Sequence, residues 1–387
     1  MKLIFDVSAI EQQPSLPPQF LWPGQDDQEI FQEELRQPPV VDLRGFFNGD
    51  QAATQLAVSQ IRAACLSQGF FQISNHGVDP GLIQSVYDHM DTFFSLPMSR
   101  KMAALRKPGG LCGYSGAHSQ RFSAMLPWKE TFSFCYSHAH DSGDVVHYVK
   151  SSIGQDFHEA GFAFAKYCKE MKRLSLSIME LLAMSLGVER FHYRKYFEDG
   201  YSIMRGNNYP PCKAKGASGL TLGTGPHTDP NSLTILHQDQ VGGLQILSDS
   251  DNIKYWRTVQ PRPDTFVVNI CDTFMALCNG KYKSCVHRAV VNKERVRRSV
   301  VFFVNPREDK LVKPPPDLLQ NNIIIHHEQD DEDERCNDLG EVRRKYGDFT
   351  WSQLREFTQN HYRADTATLP NFLHWLSTST STSTSTN

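Results

Sequence analysis

The sequence lacks any apolar run of roughly 18 residues or more, the length that crosses a membrane. Its opening residues, MKLIFDVSAI, are interrupted by Asp6 before they reach the length of a signal-peptide core. It also lacks an excess of positive charge, because 40 Lys and Arg face 43 Asp and Glu. We therefore expect a soluble cytoplasmic protein with neither nucleic acid nor a membrane surface as a partner.

Paired cysteine motifs are absent as well. The nine cysteines are an odd number, and no two of them have the CxxC spacing of a zinc or redox site. Cys271, Cys278 and Cys285 follow one another at intervals of seven residues, but the sequence around them is typical of a strand followed by a loop. We expect reduced thiols and no metal cluster at these positions.

What is present is an ordinary globular composition, with 387 residues of which 40% are hydrophobic. Helical patterns dominate the first half, notably over 50–68, 80–95 and 156–186, where the last pattern ends at Gly187. Short strand-like runs separated by Gly, Pro, Asn and Asp follow residue 200, and their spacing favours a β-sandwich or barrel. The predicted fold class is therefore α+β.

The predicted organisation has six parts. They are an extended N-terminal arm (1–36), a region with helices around a strand (37–150), a long supporting helix (151–198), the strand-rich domain (199–310), a loop followed by helices (311–376) and a disordered Ser/Thr tail (377–387). The charged stretch at 326–335 is interpreted as a solvated loop. So is the stretch at 137–147, because no strand pattern fixes its histidines and aspartates as a metal site.

His227 and Asp229 are separated by one residue in a strand-like stretch, so their side chains project from the same side. A third candidate ligand, His287, directly precedes another strand-like run. Two imidazoles and one carboxylate on one face of an ion leave the opposite positions open, which suits iron(II) better than zinc. The HxD pair alone is a weak signal, because the chain contains 15 histidines.

Arg297 and Ser299 lie just beyond the third candidate ligand and open an apolar run. On a strand these two side chains share one face, while Arg298 points away. A guanidinium fork beside a hydroxyl suits a buried carboxylate. The alternative is a basic surface patch over 293–298, which an acidic residue within it and the acidic overall balance disfavour.

The order and spacing of HxD, the distal histidine and RxS resemble the plant 2-oxoglutarate and iron(II)-dependent dioxygenases. NHGV at 75–78 and NNYPPC at 207–212 agree, the latter resembling the family's NYYPPC motif. The resemblance covers about residues 38–376 and implies a double-stranded β-helix, or jelly-roll, barrel with flanking helices. It implies iron(II), 2-oxoglutarate and O2, with ascorbate as reductant. The implied metal ligands are His227, Asp229 and His287, and the implied 2-oxoglutarate residues are Arg297, Ser299, Tyr209 and Asn207.

LPWKET at 126–131 resembles a motif of the gibberellin 20-oxidases that is associated with gibberellin recognition. It implies a small-molecule gibberellin substrate, from which C-20 is oxidised and removed while 2-oxoglutarate becomes succinate and CO2. The implied substrate residues are Trp128, Lys129, Glu130, Thr131 and Phe132. Lys129 is expected either to anchor a carboxylate or to pair with Glu130 or a surface acid.

Two alternatives remain open at this point. One is a dioxygenase of the same fold that acts on another plant hormone or a flavonoid. The other is a non-catalytic small-molecule receptor on the same barrel, which the intact set of iron ligands disfavours.

Three positions depart from the family's pattern. Cys271 replaces a usual Gly, and a positive φ angle there would cost on the order of 1 kcal/mol or more. Asn208 replaces a Tyr but is expected to point away from the pocket, and Thr228 is expected to face away from the metal.

Overall fold

The computed structural model describes residues 5–13, 15–22, 37–119, 125–137, 143–212, 221–250, 253–319, 344–361 and 367–383. The helices are α1 (Val7–Glu11), α2 (Arg44–Phe47), α3 (Gln51–Ser67), α4 (Pro80–Phe94), α5 (Met98–Ala103), α6 (Gly143–Ser152), α7 (His158–Leu186), α8 (His192–Phe197), α9 (Asp272–Leu277), α10 (Trp351–Asn360) and α11 (Thr368–Ser383). The strands are β1 (Val40–Asp42), β2 (Phe70–Ser74), β3 (Gly113–Gly116), β4 (Glu130–Ser137), β5 (Tyr201–Tyr209), β6 (Leu222–His227), β7 (Leu233–Gln238), β8 (Leu244–Ser250), β9 (Ile253–Thr258), β10 (Phe266–Ile270), β11 (His287–Val290), β12 (Arg297–Val304), β13 (Leu311–Val312) and β14 (Phe349–Thr350).

Two sheets form the core of the fold. The larger has eight strands in the order β1-β2-β10-β7-β12-β5-β4-β3, and the smaller has four in the order β6-β11-β8-β9. Within these two sheets only β1 and β2 pair in parallel. Phe70 and Val267 of the larger sheet pack against Leu244 and Ile246 of the smaller, and all four are buried. Packed antiparallel sheets with helices outside them confirm the predicted α+β class.

Helix α7 is the long helix predicted over 156–186. It ends where Gly187 adopts a φ of +74°, a left-handed conformation that favours glycine. Its buried face packs against α3, α4, α6 and α8. Helices α3 and α4 begin where Asp50 and Asp79 accept hydrogen bonds from the first turn. Among the described residues, no helix combines the length and apolar character needed to cross a membrane.

Helix α6 differs from the solvated loop predicted over 137–147. Asp144 and His147 lie on this helix, and both are exposed. The helix forms because its three buried valines face α7, which offers an apolar surface that the local sequence does not reveal. The remaining histidines of that stretch lie within 138–142, outside the described residues.

Helix α11 continues to Ser383 and so includes part of the predicted disordered tail. Its hydroxyl groups bond to carbonyl oxygens of the preceding turn. Ser377 Oγ lies 2.8 Å from the carbonyl oxygen of His374, and Thr378 Oγ1 lies 2.9 Å from that of Trp375. These bonds let a Ser/Thr run continue a helix that apolar residues begin. The charged stretch at 326–335 lies outside the described residues.

The N-terminal arm was predicted to be extended, but its described part folds back onto the protein. Phe5 and Phe20 pack edge-on against the indole ring of Trp128, with ring centroids 5.2 and 5.1 Å apart. The backbone N–H of Leu126 donates to the carbonyl oxygen of Gln19 at 2.8 Å. The aromatic contacts arise between segments about a hundred positions apart, so the proline-rich local sequence does not predict them.

Candidate active site

Strands β6 and β11 bring the two histidines of the candidate metal site together. They are neighbours in the smaller sheet, and their register pairs His227 with His287. Asp229 follows two residues after β6. Its Oδ1 lies 3.4 Å from His227 Nε2, and its Oδ2 lies 3.7 Å from His287 Nε2. The candidate ligand atoms all lie within 4.8 Å of one another, so one metal ion can contact all three residues.

Backbone carbonyl groups orient both imidazole rings. Nδ1 of His227 lies 2.8 Å from the carbonyl oxygen of Gly225, and Nδ1 of His287 lies 3.1 Å from that of Cys285. A proton on each Nδ1 leaves each Nε2 lone pair for a metal. Burial, with the neighbouring His227, lowers the pKa of His287 to about 4, so this ring is in the neutral form that metals require.

Hydrogen bonds hold Asp229 in its charged form. Its Oδ2 accepts from Thr234 Oγ1 at 2.7 Å and from Asn269 Nδ2 at 3.2 Å. Burial alone would raise the pKa of this carboxyl group, but the adjacent imidazoles and the hydrogen bonds outweigh it, and the pKa falls below its usual range. The donor set of two imidazoles and one carboxylate fits iron(II).

Strands β5 and β12 carry the four residues predicted to hold 2-oxoglutarate. Their antiparallel register places Arg297 opposite Tyr209 and Ser299 opposite Asn207. The guanidinium carbon of Arg297 lies 4.7 Å from the centre of the Tyr209 ring. Asn207 Nδ2 donates to Ser299 Oγ at 3.1 Å. The two short motifs therefore form one cluster because the strands pair in this register.

The guanidinium group of Arg297 has unused donors. Its Nη2 donates to Gln238 Oε1 at 3.1 Å, whereas Nε and Nη1 are buried and meet no hydrogen-bond partner among the described residues. The residue is only 1% exposed. A buried guanidinium with unsatisfied donors is unfavourable unless an anion meets it. A carboxylate, such as the far carboxylate of 2-oxoglutarate, fits this requirement.

A cavity opens beside the candidate metal ligands. Its lining includes His227 and Asp229, together with the cationic side chains of Arg106, Lys129, Arg205 and Arg355. The apolar side chains of its wall include those of Trp22, Leu111, Ile203, Phe303 and Trp351. Asp229 is the one acidic residue among the lining residues that the structure describes. An apolar wall with an excess of cations suits an apolar acid.

Lys129 is the one residue of the predicted substrate-binding five that lines this cavity. Its Nζ donates to Thr224 Oγ1 at 2.8 Å and lies 5.8 Å from the centre of the Tyr209 ring. Burial lowers the pKa of its amine to about 8. The alternative pairing with Glu130 does not occur, because that carboxylate is bonded to Lys101.

The two aromatic residues of the five do not line the cavity, which corrects their inclusion among the implied substrate residues. Trp128 lies beneath the N-terminal segment, and its Nε1 donates to the carbonyl oxygen of Pro210 at 3.1 Å. Phe132 packs in the main core, with its ring centre 4.5 Å from that of Phe93. Both are 0% exposed.

The two polar residues that follow Lys129 are also engaged elsewhere. Glu130 accepts hydrogen bonds from Lys101 Nζ at 2.6 Å and from Tyr114 OH at 2.7 Å, inside a buried network. Thr131 Oγ1 accepts from Arg106 Nη2 at 3.2 Å and so lies behind a cavity arginine. The motif therefore contributes Pro127 and Lys129 to the cavity lining, and its other members support the surroundings.

Several lining residues were missed from the sequence. Arg205 had a usable signal, because it precedes Asn207 and Tyr209 on β5 at steps of two and so shares their face. Trp22 and Arg355 had none, since they come from opposite ends of the chain and reach the cavity only through tertiary packing.

The three departures from the family's pattern are tolerated for visible reasons. Cys271 has a φ of −119°, an extended conformation, so the backbone strain considered for it is absent. Asn208 donates from Nδ2 to Glu130 Oε2 at 3.2 Å, on the side away from the cavity. Thr228 Oγ1 donates to Asp272 Oδ2 at 3.1 Å and faces away from the triad.

Comparison with known families matches two parts of the chain. Residues 200–306 match the 2OG-Fe(II) oxygenase superfamily, and residues 38–153 match the N-terminal part of the non-haem dioxygenases in morphine synthesis. Among solved structures, JOX2 in complex with 2OG, Fe and JA has a TM-score of 0.72 and 26% identity, and covers 96% of this chain and 98% of that one. The rice dioxygenase for auxin oxidation has a TM-score of 0.65 and 25% identity, and covers 83% of this chain and 95% of that one.

Curated relatives match over nearly the whole chain. Gibberellin 20 oxidase 2 of Oryza sativa subsp. indica is 47% identical over 96% of this chain and 88% of its own length. Gibberellin 20 oxidase 2 of Arabidopsis thaliana is 46% identical over 97% of this chain and 92% of its own length. The chain therefore belongs to the gibberellin 20 oxidases, within the 2OG-Fe(II) oxygenase superfamily.

Proposed function

We propose that this protein is a gibberellin 20-oxidase, which oxidises and removes C-20 of C20 gibberellins while converting 2-oxoglutarate to succinate and CO2. The observation that carries the substrate assignment is its 46–47% identity to gibberellin 20 oxidases over nearly the whole chain. Iron(II) is assigned to His227, Asp229 and His287. The co-substrate is assigned to Arg297 and Ser299, with Tyr209 and Asn207 beside them.

When bound, iron(II) and 2-oxoglutarate supply the oxidation of an unactivated carbon by O2, and ascorbate serves as the external reductant. The side chains of the protein bind and orient the metal, the co-substrate and the substrate. His227, Asp229 and His287 would hold the metal, and two of them, His227 and Asp229, line the cavity in which a substrate would meet it. The buried guanidinium of Arg297 would bind the far carboxylate of 2-oxoglutarate and so orient the co-substrate.

The cavity's charge fits a rigid diterpenoid acid. Lys129 lies close to the metal ligands, and the arginines at 106, 205 and 355 line the same cavity, so a carboxylate is attracted while apolar walls pack against the ring system. Arg355 also bonds to Glu308 at 3.1 Å, which steadies its side chain. Substrate orientation then decides which carbon lies nearest the metal, and regioselectivity follows from the shape of the wall.

The test is incubation of the purified protein with iron(II), ascorbate, 2-oxoglutarate and a panel of C20 gibberellins, followed by mass spectrometry. We expect products oxidised at C-20, with one succinate formed per oxidation step. A flavanone and a jasmonate in parallel reactions report on the alternative substrate classes. Succinate release stimulated by either of these and by no gibberellin would overturn the substrate assignment.

A further inference from the structure

The described parts of the N-terminal segment, residues 5–13 and 15–22, pack against the rest of the protein. Phe20 is 0% exposed and packs against the indole of Trp128, as does Phe5. A backbone hydrogen bond between Leu126 and Gln19 fixes the register of the segment just before its last described residue. The contacts of Gln19 and Phe20 therefore hold the chain in place two to three residues before Trp22.

Trp22 reaches the cavity beside the metal ligands. It is 7% exposed and belongs to the same cavity lining as His227 and Asp229. Its ring lies against Gly225 so closely that a Cβ atom built on that glycine would fall 2.1 Å from Cη2 of the indole. Gly225 does not have a positive φ, so the absence of a side chain there serves the approach of the indole and not an unusual backbone conformation.

The indole also carries a polar group without a described partner. Trp22 Nε1 is buried and has no hydrogen-bond partner among the residues that the structure describes. An indole N–H normally finds an acceptor when it is buried. A residue that lines a binding cavity can find that acceptor on the ligand, and a gibberellin offers carboxylate and carbonyl oxygens.

We propose that Trp22 is a substrate-binding residue, which closes the cavity wall over the gibberellin and donates a hydrogen bond from Nε1 to a substrate oxygen. The inference rests on the proposed function. It gives the N-terminal segment a role in substrate affinity, and it gives Trp128 a role as a positioning residue that acts through Phe20 on Trp22.

The first experiment compares Trp22→Phe and Trp22→Ala with Trp256→Phe as a matched control. Trp256 is also buried with an unpartnered Nε1 among the described residues, but it stacks on Arg288 in the smaller sheet, outside the cavity. We expect the gibberellin KM to rise about fivefold in Trp22→Phe, because one hydrogen bond is lost. We expect the gibberellin KM to rise about thirtyfold in Trp22→Ala, because the apolar contact of the indole ring with the substrate is lost as well.

The KM for 2-oxoglutarate should stay unchanged in all three variants, since Arg297 and its neighbours are untouched. Trp256→Phe should lower the melting temperature without moving the gibberellin KM. A gibberellin KM unchanged in Trp22→Ala would overturn the inference. So would a rise in the 2-oxoglutarate KM of the same size, which would show a general structural loss.

The second experiment tests the contact itself and does not depend on whether Trp22→Ala is stable. Gly225→Ala places a methyl group where the indole lies and should raise the gibberellin KM about tenfold by displacing it. In the Trp22→Ala background the same change meets no indole and should have little further effect. Equal effects of Gly225→Ala in both backgrounds would contradict the proposed contact.

The activity of the wild-type protein distinguishes a failure of the proposed function from a failure of the inference about Trp22. A wild-type protein that oxidises no gibberellin overturns the proposed function, and this inference falls with it. A wild-type protein that is active, together with Trp22 variants that bind gibberellin normally, overturns the inference alone.

Discussion

The proposed co-substrate site and the cavity beside the metal ligands are built in different ways. At the co-substrate site, two paired strands supply Arg297, Ser299, Tyr209 and Asn207, and the register of these strands brings them together. The wall of the cavity combines the N-terminal segment, the residue before β4, strand β5 and helix α10. Short motifs therefore describe the co-substrate site well, whereas the cavity depends on contacts between distant segments.

The largest expected effect comes from the metal ligands. Replacing His227 or Asp229 with Ala removes one of three candidate ligand atoms, so we expect turnover to fall by at least about a thousandfold. Iron content measured after reconstitution should fall in parallel. His147→Ala is the matched control, because this exposed histidine lies on α6 and should leave both values unchanged. Turnover that persists in both ligand variants would contradict the assigned triad.

The next largest effect is expected at Arg297, and it should distinguish the two faces of β12. Arg297→Lys loses the planar fork but keeps the charge, and we expect the KM for 2-oxoglutarate to rise about tenfold to a hundredfold. Arg298→Lys is the control, since Arg298 lies next to Arg297 on the strand but pairs with Asp91 and Asp239 on the other face. Equal effects of the two changes would count against the predicted alternation.

Lys129 lies between the substrate cavity, which it lines, and the proposed co-substrate site, where its Nζ is 5.8 Å from the centre of the Tyr209 ring. Its amine, with a pKa lowered to about 8 by burial, is charged below that pH and neutral above it. If it attracts the substrate carboxylate, the gibberellin KM should rise as the pH increases past this value. Lys129→Gln should show a gibberellin KM about fivefold higher at neutral pH, with that rise removed. A change confined to the KM for 2-oxoglutarate would assign Lys129 to co-substrate binding and not to substrate binding.

The smallest effect on activity is expected at Glu130. Its buried ion pair with Lys101 has side chains only 7% and 9% exposed, so Glu130→Gln leaves a buried charge without its partner. We expect a loss of about 3 kcal/mol in the free energy of unfolding, with both KM values unchanged. Glu170→Gln, at a partly exposed pair with Arg173, should cost less than about 0.5 kcal/mol. A raised gibberellin KM in Glu130→Gln would return this residue to the substrate site.

Much of the fold was predictable because its signals are local. The apolar stripe of α7 and the alternation on β12 are repeated within one element, and hydrophobic burial follows them directly. Helix α6 and the docked N-terminal segment were not predictable, because their stability comes from surfaces on other elements. The same limit explains why Trp128 and Phe132 were included among the substrate residues, since the surface that a side chain contacts depends on what packs around it.

The register between β5 and β12 also has a consequence for how such a protein can change. Deleting one residue from either strand would turn every side chain beyond the deletion to the opposite face, so Arg297 and Ser299 would lose their alignment with Tyr209 and Asn207 in a single event. Other wall residues, such as Trp22, Lys129 and Arg355, do not depend on this register. They come from separate segments and can be replaced one at a time, so substrate preference can diverge while the oxidative chemistry is inherited intact.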